Sequence, residues 1–340
     1  KTVRARMLCR RSMVVFREGV STICKRFNHK IGIVGAPLSK GQKKEGVRKG
    51  PDAIRNAKLL EKLQVGGLNV EDYSNLKFVE VLGDEPFKSA RWPRTVGAAN
   101  QKLSQAVARV KRDDRLCVTL GGDHSLAIGS ISGHAMFHSD LCVVWVDAHA
   151  DINTPDTSTT GNMHGQPLSF LINELRDKKD IVYIGLRDVD PEEKKIIKKL
   201  GIKFFSMTEV KQLGIQKVME MTSDYLFSRI QKPIHLSFDI DAFDPSLAPA
   251  TGTPVEGGLT YEEGICIACE IHKTGLLSAM DIVELNPELG KTEEEVTLTV
   301  NTAVDEKNNS DFLSLFWSVT RFPFYAISDA NKNTLKYDSF

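Results

Sequence analysis

The most restrictive feature of this 340-residue chain is a set of short apolar runs that each end in acid or imidazole. Residues 141–155 read LCVVWVDAHADINTP. The first half has the character of a buried strand, yet Asp147, His149 and Asp151 follow at every second position. In an extended chain residues two apart share a face, about 6–7 Å along the strand, so these side chains converge. Carboxylates crowded in that way repel one another unless positive charge sits among them. The same ending recurs in LCVTLGGDH (116–124), IVYIGLRDVD (181–190), IHLSFDIDAFD (234–244) and LLSAMDIVELNP (276–287).

Three further runs, IGIVGAP (31–37), KFVEVL (77–82) and IKFFSM (202–207), complete a set of eight predicted strands. Helical patterns lie between them, among them TVGAANQKLSQAVARVKRDD, PEEKKIIKKLG with Pro191 at its start, and TEEEVTLTVNTAVDE with Thr292 at the N-cap. This alternation predicts the α/β class, a three-layer α/β/α sandwich around a mainly parallel sheet. In such sheets the ligand crevice lies outside the carboxyl ends of the strands, so the acidic ends are expected to meet at one rim.

Charge is unevenly distributed. Residues 1–30 hold nine Lys or Arg against the single acid Glu18, a balance of +8, which leaves −7 for the rest of a chain whose net charge is +1. The body is therefore not a nucleic-acid surface. Residues 1–30, Arg-rich with interleaved apolar side chains, have the composition of a mitochondrial transit peptide, which places the expected location in the matrix, or the cytoplasm if that segment does not function so. No apolar run approaches the roughly 18 residues of a membrane span. The six cysteines are sparse; Cys117 and Cys142 fall inside strand-like runs as buried thiols, and Cys266 and Cys269 lack the second Cys or His pair of a zinc site.

Gathered at the expected rim are His124, Asp147, His149, Asp151, Asp239 and Asp241. Two imidazoles and four carboxylates exceed the needs of one structural zinc and suit two metal ions. An oxygen-rich set with some imidazole favours Mn²⁺, Mg²⁺ or Fe²⁺, and such cations lower the pKa of bound water towards neutrality.

GGDHS, DAHADINTP, GNMHGQP and SFDIDAFDP, in this order, resemble the signature segments of the arginase family of ureohydrolases, most closely its type II, mitochondrial members. The resemblance implies two Mn²⁺ per chain, held by the six residues above, and hydrolysis of L-arginine to L-ornithine and urea. It further implies that His164 shuttles a proton and that Glu284 faces the substrate guanidinium. Asn153, Ser158, Thr160, Asp188, Asp190 and Glu193 are implied to meet the amino-acid end of the substrate. Agmatinase, whose substrate lacks the α-carboxylate, is the related alternative. From a different class comes an inactive, binding-only variant. Residues 31–305 are the expected catalytic domain.

Two stretches depart from the family pattern. A surface segment usual before IVYIGLRD is absent, and the fold is expected to survive the shorter connection. Residues 306–340, with Phe312, Leu313, Leu315, Phe316, Trp317, Phe322, Phe324 and Tyr325 close together, replace the family's closing helix and tail. The homotrimer that the family implies is expected to be weakened by this replacement. The other histidines, His29, His134, His138, His235 and His272, are read as structural.

Overall fold

Strands β1 (Lys30–Ala36), β2 (Asn69–Asn75), β3 (Leu116–Gly121), β4 (Cys142–Val146), β5 (Ile181–Leu186), β6 (Lys203–Ser206), β7 (Ile234–Asp239) and β8 (Leu277–Val283) form one sheet. Their spatial order is β2-β1-β3-β8-β7-β4-β5-β6, and every pairing is parallel. A computed structural model describes residues 30–304, apart from 173–174, 176, 178–179 and 228–230. Most of the basic segment 1–30 and the aromatic stretch 306–340 lie outside the described residues, and the expectations attached to them lie there too.

Both faces of the sheet are covered, which is why its strands read as continuous apolar runs. Along β4 alternate residues divide between the layers: Cys142, Val144 and Val146 join one core cluster, and Val143 and Trp145 join another. Helices Gly50–Asn56, Met207–Leu213, Ile215–Phe227, Tyr261–Lys273 and Glu293–Val304 close the first face. Helices Pro93–Arg112, Ala127–Ala135, Pro167–Leu171 and Pro191–Leu200 close the second. The expected start of the last helix on the first face holds, since Thr292 Oγ1 accepts from the Glu295 amide at 3.3 Å. Among the described residues no helix is long and apolar enough to cross a membrane.

One predicted strand is corrected. KFVEVL is not in the sheet; the second strand is Asn69–Asn75, paired with β1. This strand lies at the sheet edge with mostly half-exposed or exposed side chains, so its sequence NVEDYSN carries little apolar pattern. Of that run Phe78 packs, partly buried, against the cluster beneath helix Pro93–Arg112, while Val79 and Leu82 are exposed. The shortened connection before β5 leaves the sheet intact, with Val143 paired to Ile181 and Val146 to Ile184.

The strand order does what the sequence could not. β3, β8, β7, β4 and β5 are consecutive neighbours, although far apart in the chain, so the loops that leave their carboxyl ends share one edge.

Candidate active site

His124 follows β3 in a single turn whose N-cap is Asp123, the carboxylate of which accepts from the Ser125 amide. That turn can form only because Gly122 lies against the Leu38 backbone: a Cβ there would stand 1.8 Å from the Leu38 carbonyl oxygen. Asp147 follows β4, Asp239 ends β7, and Asp241 sits in the next turn, where its amide donates to Asp239 Oδ1 at 2.8 Å. His124, Asp147, Asp239 and Asp241 are almost fully buried.

The ligand atoms fall into two overlapping sets. Nδ1 of His124 lies 3.1 Å from Asp147 Oδ2, 3.2 Å from Asp151 Oδ2 and 3.1 Å from Asp239 Oδ2. Nδ1 of His149 lies 3.4 Å from Asp147 Oδ1 and 3.2 Å from Asp241 Oδ2. His124, Asp147 and Asp239 are so placed that they could hold one ion, and Asp147, His149 and Asp241 a second, with Asp147 common to both. The donors are hard oxygens with two imidazoles and no thiolate, a set that fits divalent cations such as manganese better than copper or a structural zinc. Electrostatics point the same way. Two carboxylates 4 Å apart at an effective dielectric near 20 repel by about 4 kcal/mol, a large part of a domain's ~5–15 kcal/mol net stability.

The same crowding shifts the carboxyl pKa values. Burial, with the neighbouring charges of Asp241 and Asp147, pushes Asp239 well above the usual carboxylate range. Burial and the charge of Asp147 push Asp151 up to about 6. Burial opposes ionisation of Asp147 as well, but the imidazoles of His124 and His149 outweigh it and hold the carboxyl below its ordinary value. Asp151 is raised in the folded state, so below pH about 6 an incoming cation must displace its proton. Cation affinity is therefore expected to fall as pH drops through 6, and the thermal stability of the cation-free protein to fall as pH rises from about 4 through 6. Calorimetric manganese titrations at pH 5, 6 and 7, with melting curves of chelator-treated protein, check both; a pH-independent affinity would contradict them.

Glu284 leaves β8 with φ +65°, and Asp151 sits at φ +50°; both are non-glycine residues in the left-handed region, held there by the surrounding structure. The Glu284 carboxylate is caught from three sides. Oε1 accepts from the His124 amide at 2.9 Å and faces His164 Nδ1 at 3.1 Å, and Oε2 accepts from Gln42 Nε2 at 2.5 Å. Burial would raise its pKa, but His164 and these donors hold it below the ordinary value. Burial would likewise lower His164, yet the Glu284 charge and hydrogen bond carry it up to about 9.

A pocket of about 130 Å³ opens over this rim and is lined by His149, Asp151, His164 and Asp239. The same pocket is lined by all six positions expected at the amino-acid end of a substrate: Asn153, Ser158, Thr160, Asp188, Asp190 and Glu193. Glu193 is buried, with both oxygens taken by backbone amides, those of Ile152 and Asp190 at 3.0 Å each. Its side chain thus ties the loop after Asp151 to the start of helix Pro191–Leu200, and burial raises its pKa to about 7. Asn153 Nδ2 donates to Asp190 Oδ2 at 2.8 Å.

Two residues at the site carried no signal in the sequence. Gln42 comes from the loop after β1, and Thr253, whose hydroxyl donates to Asp241 Oδ2 at 3.0 Å, comes from the loop after the turn at Asp241. Neither belongs to a strand-end cluster, so period-two spacing does not mark them.

Fold and rim together define an α/β protein whose sheet edge presents a carboxylate-rich site for two cations. Residues 29–306 match the model of the arginase family. Arginase-1 of Bos taurus is 60% identical over 290 residues, covering 81% of this chain and 90% of that protein. The mitochondrial arginase-2 of Rattus norvegicus is 57% identical over 294 residues, 82% of this chain and 83% of that one. The solved arginase of Bacillus caldovelox superposes with a TM-score of 0.77 at 35% identity, over 87% of this chain and 99% of that one. The chain belongs to the arginase family and is a hydrolase.

Proposed function

We propose that the protein hydrolyses L-arginine to L-ornithine and urea, with two Mn²⁺ held by His124, Asp147, His149, Asp151, Asp239 and Asp241. The observation that carries this reading is one pocket whose lining joins a dense cation-ligating rim to the hydroxyl, amide and carboxylate groups of Asn153, Ser158, Thr160, Asp188 and Asp190. The cations, when bound, lower the pKa of water and supply a nucleophile near neutral pH. The rest is the work of the chain. Glu284, kept ionised by its three partners, is placed to pair with the guanidinium and aim its carbon. His164, kept protonated towards about pH 9, has a proton for the leaving amine. Asn153, Ser158 and Thr160 offer neutral donors and acceptors to an α-carboxylate, and Asp188 and Asp190 offer negative charge to an α-ammonium. A pocket built for both groups discriminates against agmatine, which leaves the carboxylate partners unpaired.

Urea release from L-arginine and from agmatine, after manganese loading and with metal content measured in parallel, tests the reading. Agmatine turnover at least about 100-fold slower is the expected result. Equal rates would favour the agmatinase alternative, and two metals with no turnover the binding-only one. His164→Asn is expected to keep both metals and lower kcat about 100-fold, with partial rescue by imidazole; an unchanged kcat would remove the shuttle role. A mitochondrial location, directed by residues 1–30, and a trimer weakened by residues 306–340 belong to the same reading. Import assays, and solution mass with and without that tail, test them.

A further inference from the structure

β7 bears His235, Ser237 and Asp239 at every second position, so all three stand on one face, while Ile234, Leu236 and Phe238 enter the opposite core. Ser237 is paired directly with Asp281 of β8. Helix Ala127–Ala135 covers this face and turns Ser130 and His134, one helical turn apart, down onto it. All of these groups are buried.

The hydrogen bonds between them form one connected chain that ends on a metal-ligand candidate. Oδ2 of Asp281 lies 2.6 Å from Ser130 Oγ, 2.9 Å from His235 Nε2 and 3.5 Å from Ser237 Oγ. Ser237 Oγ in turn lies 2.9 Å from Nε2 of His124, the ring nitrogen opposite the one that faces Asp147, Asp151 and Asp239. Behind His235, His134 Nδ1 stands 3.3 Å from His235 Nδ1, and His134 Nε2 stands 3.0 Å from Ser278 Oγ. Burial, with the neighbouring His235 and Lys111, keeps His134 neutral.

A carboxylate only accepts, so the direction of the chain follows from its centre. His235 must present Nε2–H to Asp281, and Ser237 turns its single hydroxyl hydrogen towards the same oxygen. With that hydrogen committed, Ser237 Oγ can only accept from His124, and His124 must carry its hydrogen on Nε2. Nδ1, which faces three carboxylate oxygens, would give up its hydrogen to make way for a cation and offer it the lone pair, while Nε2–H stays with Ser237. The reverse tautomer would put a hydrogen on Nδ1, where a cation would have to be. The stacked indole of Trp145, 4.0 Å from the imidazole and nearly parallel to it, sets the plane of the ring but cannot choose between its nitrogens.

We propose that Asp281 is a positioning residue for the metal site: acting through Ser237, it holds His124 in the tautomer that offers Nδ1 to the cation bound with Asp147 and Asp239. This rests on the two-manganese reading above. Groups that orient a ligating histidine in this manner change metal affinity by about 10- to 100-fold when altered.

The test is a manganese titration of the full chain, followed by calorimetry and by electron paramagnetic resonance, for the parent, Asp281→Asn, Ser237→Ala and the double variant. The Asn amide can donate as well as accept, so it releases the direction of the chain without changing its volume. At least a tenfold rise in the manganese concentration that half-fills the site of His124, Asp147 and Asp239 is expected in each single variant. The site of Asp147, His149 and Asp241 should stay within about threefold, so that spectra of isolated ions replace those of coupled pairs at intermediate manganese. The double variant should be no weaker than Ser237→Ala alone, because both changes break one relay. Additive losses, equal weakening of both sites, or unchanged affinity in Ser237→Ala would each overturn the proposal, and the last decides the matter even if Asp281→Asn does not fold. A parent that binds two manganese ions while the variants titrate as it does overturns the relay alone. A parent that binds none overturns the metal reading with it.

Discussion

Asp147→Asn is expected to lose both cations and at least about 10³-fold in turnover, because this carboxylate is the one ligand candidate common to the two sets of three. Metal ions contribute several kcal/mol of transition-state stabilisation, and each 1.4 kcal/mol is a factor of ten. The variant keeps the volume of the side chain and one acceptor for the indole of Trp145 or the amide of His149, both now bound by Asp147, so the sheet edge should still form. Elemental analysis and melting curves read the outcome. The parent is expected to gain stability on manganese addition by mass action, and that gain should vanish in the variant. Two tightly held ions in Asp147→Asn would show that Asp147 is not the shared ligand.

Glu284→Gln should have the opposite signature, with both metals retained and turnover reduced by at least about 10²-fold. Two effects combine. The guanidinium loses its charged partner, and His164 loses the negative charge that holds its pKa near 9 against burial. With that charge removed, burial draws the His164 pKa down, the imidazole is neutral at pH 8, and the proton for the leaving amine is missing. The sign is testable by NMR: the His164 pKa must fall in the variant, and the alkaline limb of kcat must move to lower pH with it. Metal loss as complete as in Asp147→Asn would assign Glu284 to the ligand set instead. A raised His164 pKa would contradict the electrostatic account.

Much of this site could be read from the chain because buried parallel strands advertise themselves. A strand covered on both faces is a continuous apolar run, and polar residues at its carboxyl end stand out against it. Asp147, His149 and Asp151 after β4, and Asp239 and Asp241 at the end of β7, were legible for that reason. The edge strand Asn69–Asn75 was not, since one exposed edge relaxes the need for apolar side chains, and the alternating KFVEVL nearby offered a more strand-like pattern. His235 and Ser237 show a subtler loss. They sit inside the apolar run IHLSFD at the same spacing as Asp239, a polar column on one face of a core strand, yet their use depends on Asp281 and helix Ala127–Ala135, which are remote in sequence.

Taken alone, the sequence determined the α/β class, seven of the eight strands among the described residues and the candidate ligand types, because hydrophobic period and residue chemistry are local properties that survive without coordinates. Tertiary structure alone decided which strand ends are neighbours, that Asp147 stands between two ligand sets, that Gln42 and His164 grip Glu284, and that a buried carboxylate on β8 sets the direction of hydrogen bonds reaching His124. The reason is physical. Lateral order in a parallel sheet is set by crossover connections and by the packing of helices on both faces, so Cys117 of β3 meets Ala279 of β8, Cys142 of β4 meets Ile234 of β7, and His124 meets Glu284, pairs far apart in the chain that no local pattern records.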